Sequence, residues 1–391
     1  MPVSKLPDVA TTIFSVVSRR AADLGALNVG QGFPDYAIDP RLAELAHAAM
    51  VAGHNQYAPT DGISRLRRLI TARLNSRYDC SIDADSDVTI TCGATEALYC
   101  AIQAVVGPRD EVIVFDPAYD SYDPAVRLAG GRAIHLPLEP PHFRIDWQRV
   151  REAITPRTRL VILNSPHNPS CTMIDRADML ELASLLQRHD LLLLSDEVYE
   201  PVVFDARQHC SALGIREVRE RAFVVFSFGK SLHATGWRTG YCVAPSALMK
   251  EFRKVHQFNT FSIAAPIQEA IADFLEERPD YIDQLAGFFQ RKRDILLAGL
   301  GGCGLAIEPA AGTYFQLLDF SPFGEGDDLL WTERLLIEAK VALIPLSAFY
   351  ADGRRTALLR ICCAKRDETL HLAADRIRSF LAGAARRGSG V

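Results

Sequence analysis

The stretch Leu191–Glu197 has the sequence LLLLSDE, in which four consecutive leucines run into two carboxylates. Such an apolar run is typical of a strand that is buried on both faces of a sheet. A carboxylate at the end of that strand, as at Asp196, is costly unless it is paired or faces a site. The stretch therefore predicts a buried strand with a polar site at its carboxyl end, with a helix cap as the alternative role for Asp196.

Short apolar runs alternate with longer helical patterns on both sides of this stretch, which predicts an α/β fold with a mostly parallel sheet. Polar or glycine residues follow nearly every run. Because ligands lie beyond the carboxyl ends of the strands in open α/β sheets, we expect these polar groups to meet at one site. The predicted strands are Val88–Thr91, Glu111–Phe115, Arg159–Asn164, Leu191–Ser195, Phe223–Ser227 and Gly240–Ala244.

A nearly continuous helical pattern from Pro266 to about Leu300 indicates a change of domain. A smaller α+β unit is predicted to follow it, and the first thirty-odd residues are too few for a domain of their own. We expect an amino-terminal arm (1–35) that packs on the small domain (289–391), with a large domain between them (36–288). The strands predicted for the small domain are Thr313–Asp319, Val341–Pro345 and Ala357–Cys362.

The composition favours a small-molecule partner. The formal net charge of -5 is too mild to indicate binding to nucleic acid or a membrane surface. No apolar run reaches the length of a membrane span, and we recognise no signal peptide. The nine cysteines form no CxxC pair, so we expect reduced thiols in a cytoplasmic protein and no metal site.

Lys230 stands out among the seven lysines, because it follows a predicted strand and none of the others lies between Lys5 and Lys230. Small residues surround it, and a lysine whose pKa is lowered by burial or nearby cations becomes a usable nucleophile. Arg238, eight residues later, suggests a phosphate to be held. The alternative is a solvated loop lysine.

Other residues carry weaker indications. Thr95 opens a predicted helix whose free N–H groups can bind a phosphate, although many such turns are simply tight connections. Asn168 lies between two prolines that fix its backbone. Arg360 interrupts an apolar strand pattern and needs a carboxylate partner, which an internal salt bridge could also supply. Tyr119 and Tyr199 offer ring faces and phenols, or only core packing.

Together these segments resemble the fold-type I pyridoxal-phosphate aminotransferases over nearly the whole chain. Within that family the resemblance is narrower to the kynurenine and glutamine transaminases and to bacterial methionine aminotransferases, through Asp116–Tyr122 and Pro140–Arg144. The segments that carry the family resemblance are 28–35, 55–57, 93–95, 164–169, 195–199, 227–230, 236–240 and 359–360.

The resemblance implies an α/β fold with a seven-stranded sheet and a pyridoxal 5'-phosphate cofactor that Lys230 binds as a Schiff base. Asp196 would pair with the pyridinium nitrogen, and Asn168 and Tyr199 would hold the ring hydroxyl. Tyr119 would stack on the ring. The phosphate would be held by Ala94, Thr95, Ser227 and Arg238, with Tyr57 reaching in from the other subunit of a homodimer.

For the substrate, the resemblance implies ping-pong transfer of an amino group from an L-amino acid to a 2-oxo acid. Arg360, the Gly32 backbone and Asn168 would bind the carboxylate. Because no second arginine is evident for a distal carboxylate, methionine, aromatic amino acids and glutamine are expected as donors rather than aspartate. The side-chain pocket would be lined by Phe14, Tyr57 and Phe261.

Two departures from the family pattern are Thr95, where many relatives carry an aromatic residue, and His167. Neither removes an essential role. Elimination from cysteine conjugates at the same site is an alternative activity. A non-enzymatic binding domain, as in transcription regulators that resemble aminotransferases, is disfavoured because only a short arm precedes the pattern that begins near Asn28. A catalytically silent relative is disfavoured because no motif residue is missing.

Overall fold

The strands of this computed structural model, which describes residues 3–324 and 326–388, form three sheets. All six strands predicted for the large domain are present, with bounds that differ by one residue at most. In chain order the strands are β1 (Leu27–Asn28), β2 (Val88–Thr91), β3 (Glu111–Asp116), β4 (Arg132–Pro137), β5 (Thr158–Asn164), β6 (Leu192–Asp196), β7 (Ala222–Ser227), β8 (Gly240–Val243), β9 (Phe315–Asp319), β10 (Val341–Ala342), β11 (Ile344–Pro345) and β12 (Leu358–Cys362).

Helices join most of these strands. The longer ones bury an apolar stripe against the sheets and leave charged residues outside, as on α7 and α10 below. In chain order the helices are α1 (Ile13–Asp23), α2 (Pro40–Val51), α3 (Ser64–Tyr78), α4 (Gly93–Val105), α5 (Tyr122–Leu128), α6 (Trp147–Ala153), α7 (Arg176–Arg188), α8 (Arg216–Arg219), α9 (Phe228–Ser231), α10 (Ser246–Asn259), α11 (Ala265–Glu277), α12 (Leu285–Leu300), α13 (Asp328–Arg334) and α14 (Asp367–Gly388).

The main sheet has seven strands in the order β2-β8-β7-β6-β5-β3-β4. Strand β8 runs antiparallel to both of its neighbours, and the other pairs are parallel. This mostly parallel sheet with helices confirms the predicted α/β fold. Strands β5, β6 and β7 lie in the middle and are almost entirely buried, which confirms the buried strand that the leucine run at Leu191 predicted for β6.

Strand β4 was not predicted from the sequence. It lies at the edge of the sheet, pairs only with β3 among the described residues, and none of its residues is fully buried. Its sequence RAIHLP mixes charged and apolar residues because one side of an edge strand remains open to solvent. The apolar runs that identify central strands are therefore missing here.

The predicted strand Val341–Pro345 is wrong as a single element. The chain changes sheets at Leu343, so β10 pairs with β1 in parallel while β11 pairs with β12 in an antiparallel sheet that also contains β9. Leu343 is fully buried between the two short strands. A continuous apolar run could not reveal that its two halves have different partners.

We propose the three-part division into 1–35, 36–288 and 289–391 on the basis of this pairing. Strand β1 of the arm joins β10, and Leu27 N–H also donates to Lys340 O at 2.8 Å. Residues 1, 2, 325 and 389–391 of these ranges lie outside the described residues. In the part of the chain that is described, no helix has both the length and the apolar character needed to cross a membrane.

Candidate active site

The carboxyl ends of β5, β6 and β7 bring the central predicted residues together. The Asn164 side chain donates to Asp196 O at 2.8 Å and accepts from Asn168 N–H at the same distance. One side chain thus fixes the loop after β5 to the end of β6. Lys230 lies in the single helical turn α9 that follows β7. These residues lie close together because the carboxyl ends of parallel strands meet at the same edge of the sheet, where ligands bind in open α/β folds.

Lys230 faces into the protein and not into solvent as a loop lysine would. Its Nζ donates to Tyr314 Oη at 2.7 Å and to Gly32 O at 3.3 Å, and lies 5.7 Å from the centre of the Tyr199 ring. Burial, reinforced by the guanidinium groups of Arg360 and Arg238, lowers the pKa of Lys230 to about 8. A larger fraction of the amine than in an ordinary lysine is therefore neutral and nucleophilic near neutral pH.

Asp196 is a buried carboxylate at the end of β6. Its Oδ2 accepts from Tyr122 Oη at 2.7 Å and its Oδ1 from Val198 N–H at 3.3 Å. Burial raises the pKa of Asp196 to about 6, against the opposing effect of the Tyr122 hydrogen bond. Two hydrogen bonds offset only part of the free-energy cost of burying the ionised carboxylate, so Asp196 is suited to a cationic partner.

The start of α4 and Arg238 form a cradle for an anion. Glu96 accepts from Cys92 N–H at 3.1 Å just before the helix, but the first N–H groups inside the helix have no side-chain acceptor among the described residues. Gly93 has φ +72°, and a Cβ there would lie 2.6 Å from Arg238 Nη2. A Cβ on Gly240 would lie 2.9 Å from Ala94 N, and Ser227 pairs with Gly240 across β7 and β8. Glycines thus allow a basic group and backbone donors to approach each other.

Tyr119 and Thr95 meet beside this cradle. The Tyr119 hydroxyl interacts with the Thr95 side chain, and its ring meets the Tyr122 ring edge to face at 5.7 Å. Tyr122 in turn binds Asp196. The aromatic segment that carried the narrower family resemblance therefore connects the cradle to the buried carboxylate.

Arg360 is fully buried and makes no ion pair with any described residue, so the internal salt bridge that the sequence left open is absent there. Its Nη1 donates to Asn168 Oδ1 at 2.5 Å and its Nη2 to Gly30 O at 3.2 Å, while Nε has no hydrogen-bond partner among the described residues. The guanidinium carbon lies 3.9 Å from the Phe315 ring centre and 4.9 Å from that of Phe349. A planar cation held this way is prepared for an external carboxylate.

Phe14 and Gly32 complete this side of the site. The Phe14 ring lies 5.5 Å from that of Phe349 and 5.4 Å from the guanidinium carbon of Arg360. Gln31 donates to Phe14 O at 3.1 Å, which fixes α1 to the loop that contains Gly32. A Cβ on Gly32 would lie 2.7 Å from the Phe315 ring, so only glycine fits there.

Tyr57 and Phe261 differ from the other predicted site residues. Their rings pack edge to face at 5.2 Å, and 83% of Tyr57 and 47% of Phe261 remain exposed. Within one chain they lie open to solvent. The remaining predicted residues are buried or half-buried, except for Thr95 and Arg238, which are exposed.

Two residues that contact the reactive groups were missed at the sequence level. Tyr122 was only part of a quoted motif, and Tyr314 was an ordinary member of a predicted strand. A buried tyrosine hydroxyl needs a hydrogen-bond partner, so each was a candidate for some polar contact. The identity of the partners, Asp196 and Lys230, depends on contacts between distant parts of the chain.

His167, the second departure from the family pattern, is part of the loop structure. It is buried, its Nδ1 lies 2.6 Å from Ser170 Oγ, and burial lowers its pKa to about 4. A neutral ring at this position fixes the loop next to Asn168 without adding charge.

Glu96, Cys100 and His256 form a buried cluster behind the start of α4. Glu96 Oε1 lies 2.8 Å from both Cys100 Sγ and His256 Nδ1, and His256 Nε2 lies 2.8 Å from Thr60 O. Ligands of a tetrahedral zinc ion would be roughly 3.3 Å or more apart, given metal–ligand bonds of about 2.0–2.3 Å. We therefore interpret this cluster as a hydrogen-bond network that supports α4.

The chain is similar to known proteins over most of its length. The model of the family described as aminotransferase class I and II matches residues 25–377. The chain is 47% identical to the methionine aminotransferase of Escherichia coli (strain K12), over 97% of this chain and 98% of that protein. It is 30% identical to kynurenine–oxoglutarate transaminase 3 of Rattus norvegicus, over 93% of this chain and 87% of that protein.

A solved Escherichia coli structure, identified as having a methionine aminotransferase function, superimposes with a TM-score of 0.95. It shares 47% sequence identity and covers 97% of this chain and 99% of that one. Since the family match spans most of the sequence, the chain belongs to the class I and II aminotransferases.

Proposed function

We propose that this aminotransferase uses pyridoxal 5'-phosphate at the Lys230 site to move the amino group of an uncharged L-amino acid, such as methionine, to a 2-oxo acid. The observation that carries the proposal is the position of the Lys230 amine, buried among Tyr314, Gly32 and Tyr199, in the field of Asp196, Arg238 and Arg360. When bound, this cofactor supplies an electron-accepting ring that makes loss of the substrate Cα proton easier.

The residues present fit that cofactor. The anion cradle, with Ala94, Thr95, Ser227 and Arg238, suits a phosphate. Asp196 suits a protonated ring nitrogen, because its carboxylate is buried with no cation paired to it among the described residues. We assign Asn168 and Tyr199 to the ring hydroxyl and Tyr119 to the ring face. Lys230 would hold the cofactor covalently.

The same side chains account for the chemistry expected of the chain. Lys230 Nζ accepts the Cα proton of the donor, which requires the neutral amine that a pKa of about 8 makes available. Asp196 keeps a proton on the ring nitrogen. Arg360, with Asn168 and the Gly32 backbone, orients the donor by its carboxylate, because its fork matches carboxylate geometry.

The apolar surroundings of Arg360 support an uncharged donor side chain. Phe14 and Phe349 lie against the guanidinium, and no second arginine accompanies them in the contacts of the described residues. The similar Escherichia coli protein is named for methionine, which is consistent with this lining. We assign methionine, aromatic amino acids and glutamine as donors, with Tyr57 and Phe261 completing the pocket.

A spectroscopic titration tests the proposal. We expect the purified protein with pyridoxal 5'-phosphate to show a visible band that methionine removes and a 2-oxo acid restores, with release of the matching oxo acid. Aspartate should be at least about tenfold poorer in kcat/KM, because its distal carboxylate has no cation to meet. Ammonia and pyruvate from a cysteine conjugate would indicate elimination instead. A band that no amino acid changes would contradict transamination.

We also propose a homodimer that shares its active sites. Tyr57 packs on Phe261 and both are exposed, as are Phe258 (87%), three residues before Phe261 in the sequence, and Val51 (74%), six residues before Tyr57. A cluster of exposed apolar residues of this kind is typical of an interface. Tyr57 would then reach the phosphate of the partner subunit.

Sedimentation equilibrium should give twice the chain mass of 43.2 kDa. Mixed dimers of Lys230→Ala and Tyr57→Ala subunits should be more active than the mean of the parents, because one of their two sites regains both residues. A monomer, or mixtures with only the mean activity, would refute the shared site.

We further propose that the enzyme works in the cytoplasm. All nine cysteines are free thiols and five are buried, which suits a reducing compartment.

A further inference from the structure

The Tyr314 hydroxyl lies between the Gly32 carbonyl oxygen and the Lys230 amine. It lies 2.5 Å from Gly32 O and 2.7 Å from Lys230 Nζ. A tyrosine hydroxyl has a single proton, and the carbonyl oxygen can only accept. A protonated Lys230 amine can only donate, so in that state Tyr314 donates to Gly32 O and its oxygen accepts an N–H from Lys230.

The Tyr314 ring is held in place on several sides. It is buried, meets the Tyr199 ring at 5.0 Å and the Phe315 ring at 4.9 Å, and lies 5.6 Å from Phe289. Burial also raises the pKa of its hydroxyl well above the ordinary value. Tyr314 therefore keeps its proton and offers the lysine a fixed acceptor; it is not a base itself.

We propose that Tyr314 is a positioning residue that directs the Lys230 amine toward the Cα of the donor and couples it to the carboxylate-binding loop at Gly32. This inference rests on the proposed function. Lysine has a long flexible side chain, and without the phenol its Nζ would keep, among the described residues, a single hydrogen bond, the 3.3 Å contact with Gly32 O. A reacting group that is misplaced by about 1 Å can lose on the order of 100-fold in rate.

Tyr314→Phe removes the hydroxyl and keeps the packing. We expect kcat to fall by about 10- to 100-fold while KM changes little, because Arg360 still binds the carboxylate. The variant also removes an acceptor that favours the ammonium form, so the pKa of Lys230 should fall below that of the wild type. The other charged and titratable groups that act on Lys230 are unchanged, namely Asp196, Arg238, Arg360 and Cys362. Tyr199 keeps its ring contact with Lys230 but loses the hydrogen bond between its hydroxyl and that of Tyr314.

The pKa can be measured without cofactor or substrate. Cofactor-free protein is methylated with formaldehyde and a borane reductant at a series of pH values, and mass spectrometry gives the extent of modification of the Lys230 peptide. The midpoint for Tyr314→Phe should shift to lower pH. Tyr350→Phe is a matched control, because it loses a buried hydroxyl bond of 2.8 Å to Leu138 O and does not touch Lys230. Its midpoint and kcat should match the wild type.

The outcomes separate this inference from the proposed function. An active wild type whose Tyr314→Phe variant keeps both kcat and the midpoint overturns the positioning role. A slower variant with an unshifted midpoint also overturns it, because the loss then arises away from Lys230. A wild type that transaminates no donor overturns the proposed function, whereas the methylation midpoint still reports on the contact between Tyr314 and Lys230.

Discussion

Lys230→Ala should reduce transamination by at least about four orders of magnitude, since both the covalent attachment and the base for the Cα proton are lost. The fold should survive. Nζ makes hydrogen bonds only to Tyr314 and Gly32 O among the described residues, and these two already bond each other. Steady-state kinetics with methionine and a 2-oxo acid, together with thermal unfolding, measures both expectations.

Lys254→Ala is the matched control for this variant. Lys254 is exposed on α10 and pairs with Glu251 three residues away at 2.7 Å. An exposed pair of this kind contributes little to stability, so activity and unfolding temperature should stay near the wild type. A Lys230→Ala enzyme with wild-type turnover would remove Lys230 from the mechanism and the proposed function with it.

Asp196→Asn should lower kcat by about three orders of magnitude. A carboxylate about 4 Å from a cation contributes about 4 kcal/mol at an effective dielectric constant of 20, and about 1.4 kcal/mol corresponds to a factor of ten in rate. Asparagine keeps the shape and can still accept from Tyr122 Oη, but it cannot hold a proton on the ring nitrogen. The expected loss is therefore electrostatic and not a loss of packing.

The comparison is made on enzyme that is saturated with cofactor, so that weaker cofactor binding does not mimic a slower reaction. Asp190→Asn serves as the control, because this exposed carboxylate pairs with Arg221 at 2.7 Å near the surface. Its kinetics should be unchanged. If Asp196→Asn retained the wild-type kcat under saturation, the buried carboxylate would have no part in the reaction.

The parts of the site that the sequence could predict are those that local patterns mark. Lys230 and Asp196 follow buried strands, and their convergence follows from the geometry of a parallel sheet. Tyr122 and Tyr314 lie 74 and 84 positions from their partners, so no local pattern connects them. The state of Arg360 was undecidable for the same reason, because an ion pair depends on whichever carboxylate the fold brings near.

The fold shows the same division between local and long-range information. Central strands such as β6 were evident because burial on both faces imposes an apolar run. The edge strand β4 lacks that run, and the change of sheets at Leu343 depends on partners that come from residue 27 on one side and residue 360 on the other.

The residues proposed to bind the substrate come from different sheets, so a bound substrate would connect them. Arg360 lies on β12, and the Gly32 loop follows β1, so both carboxylate-binding groups belong to the small sheets. Asp196 ends a strand of the main sheet, and Lys230 lies in the helical turn that follows another of its strands. The hydrogen bond from Arg360 to Asn168 joins the two parts directly. Under the proposed function, a bound amino acid would cross-link the two parts, with its carboxylate at the small sheets and its amino group at the end of the main sheet. An amine that lacks the carboxylate would bind at the main sheet alone and would not hold the two parts together.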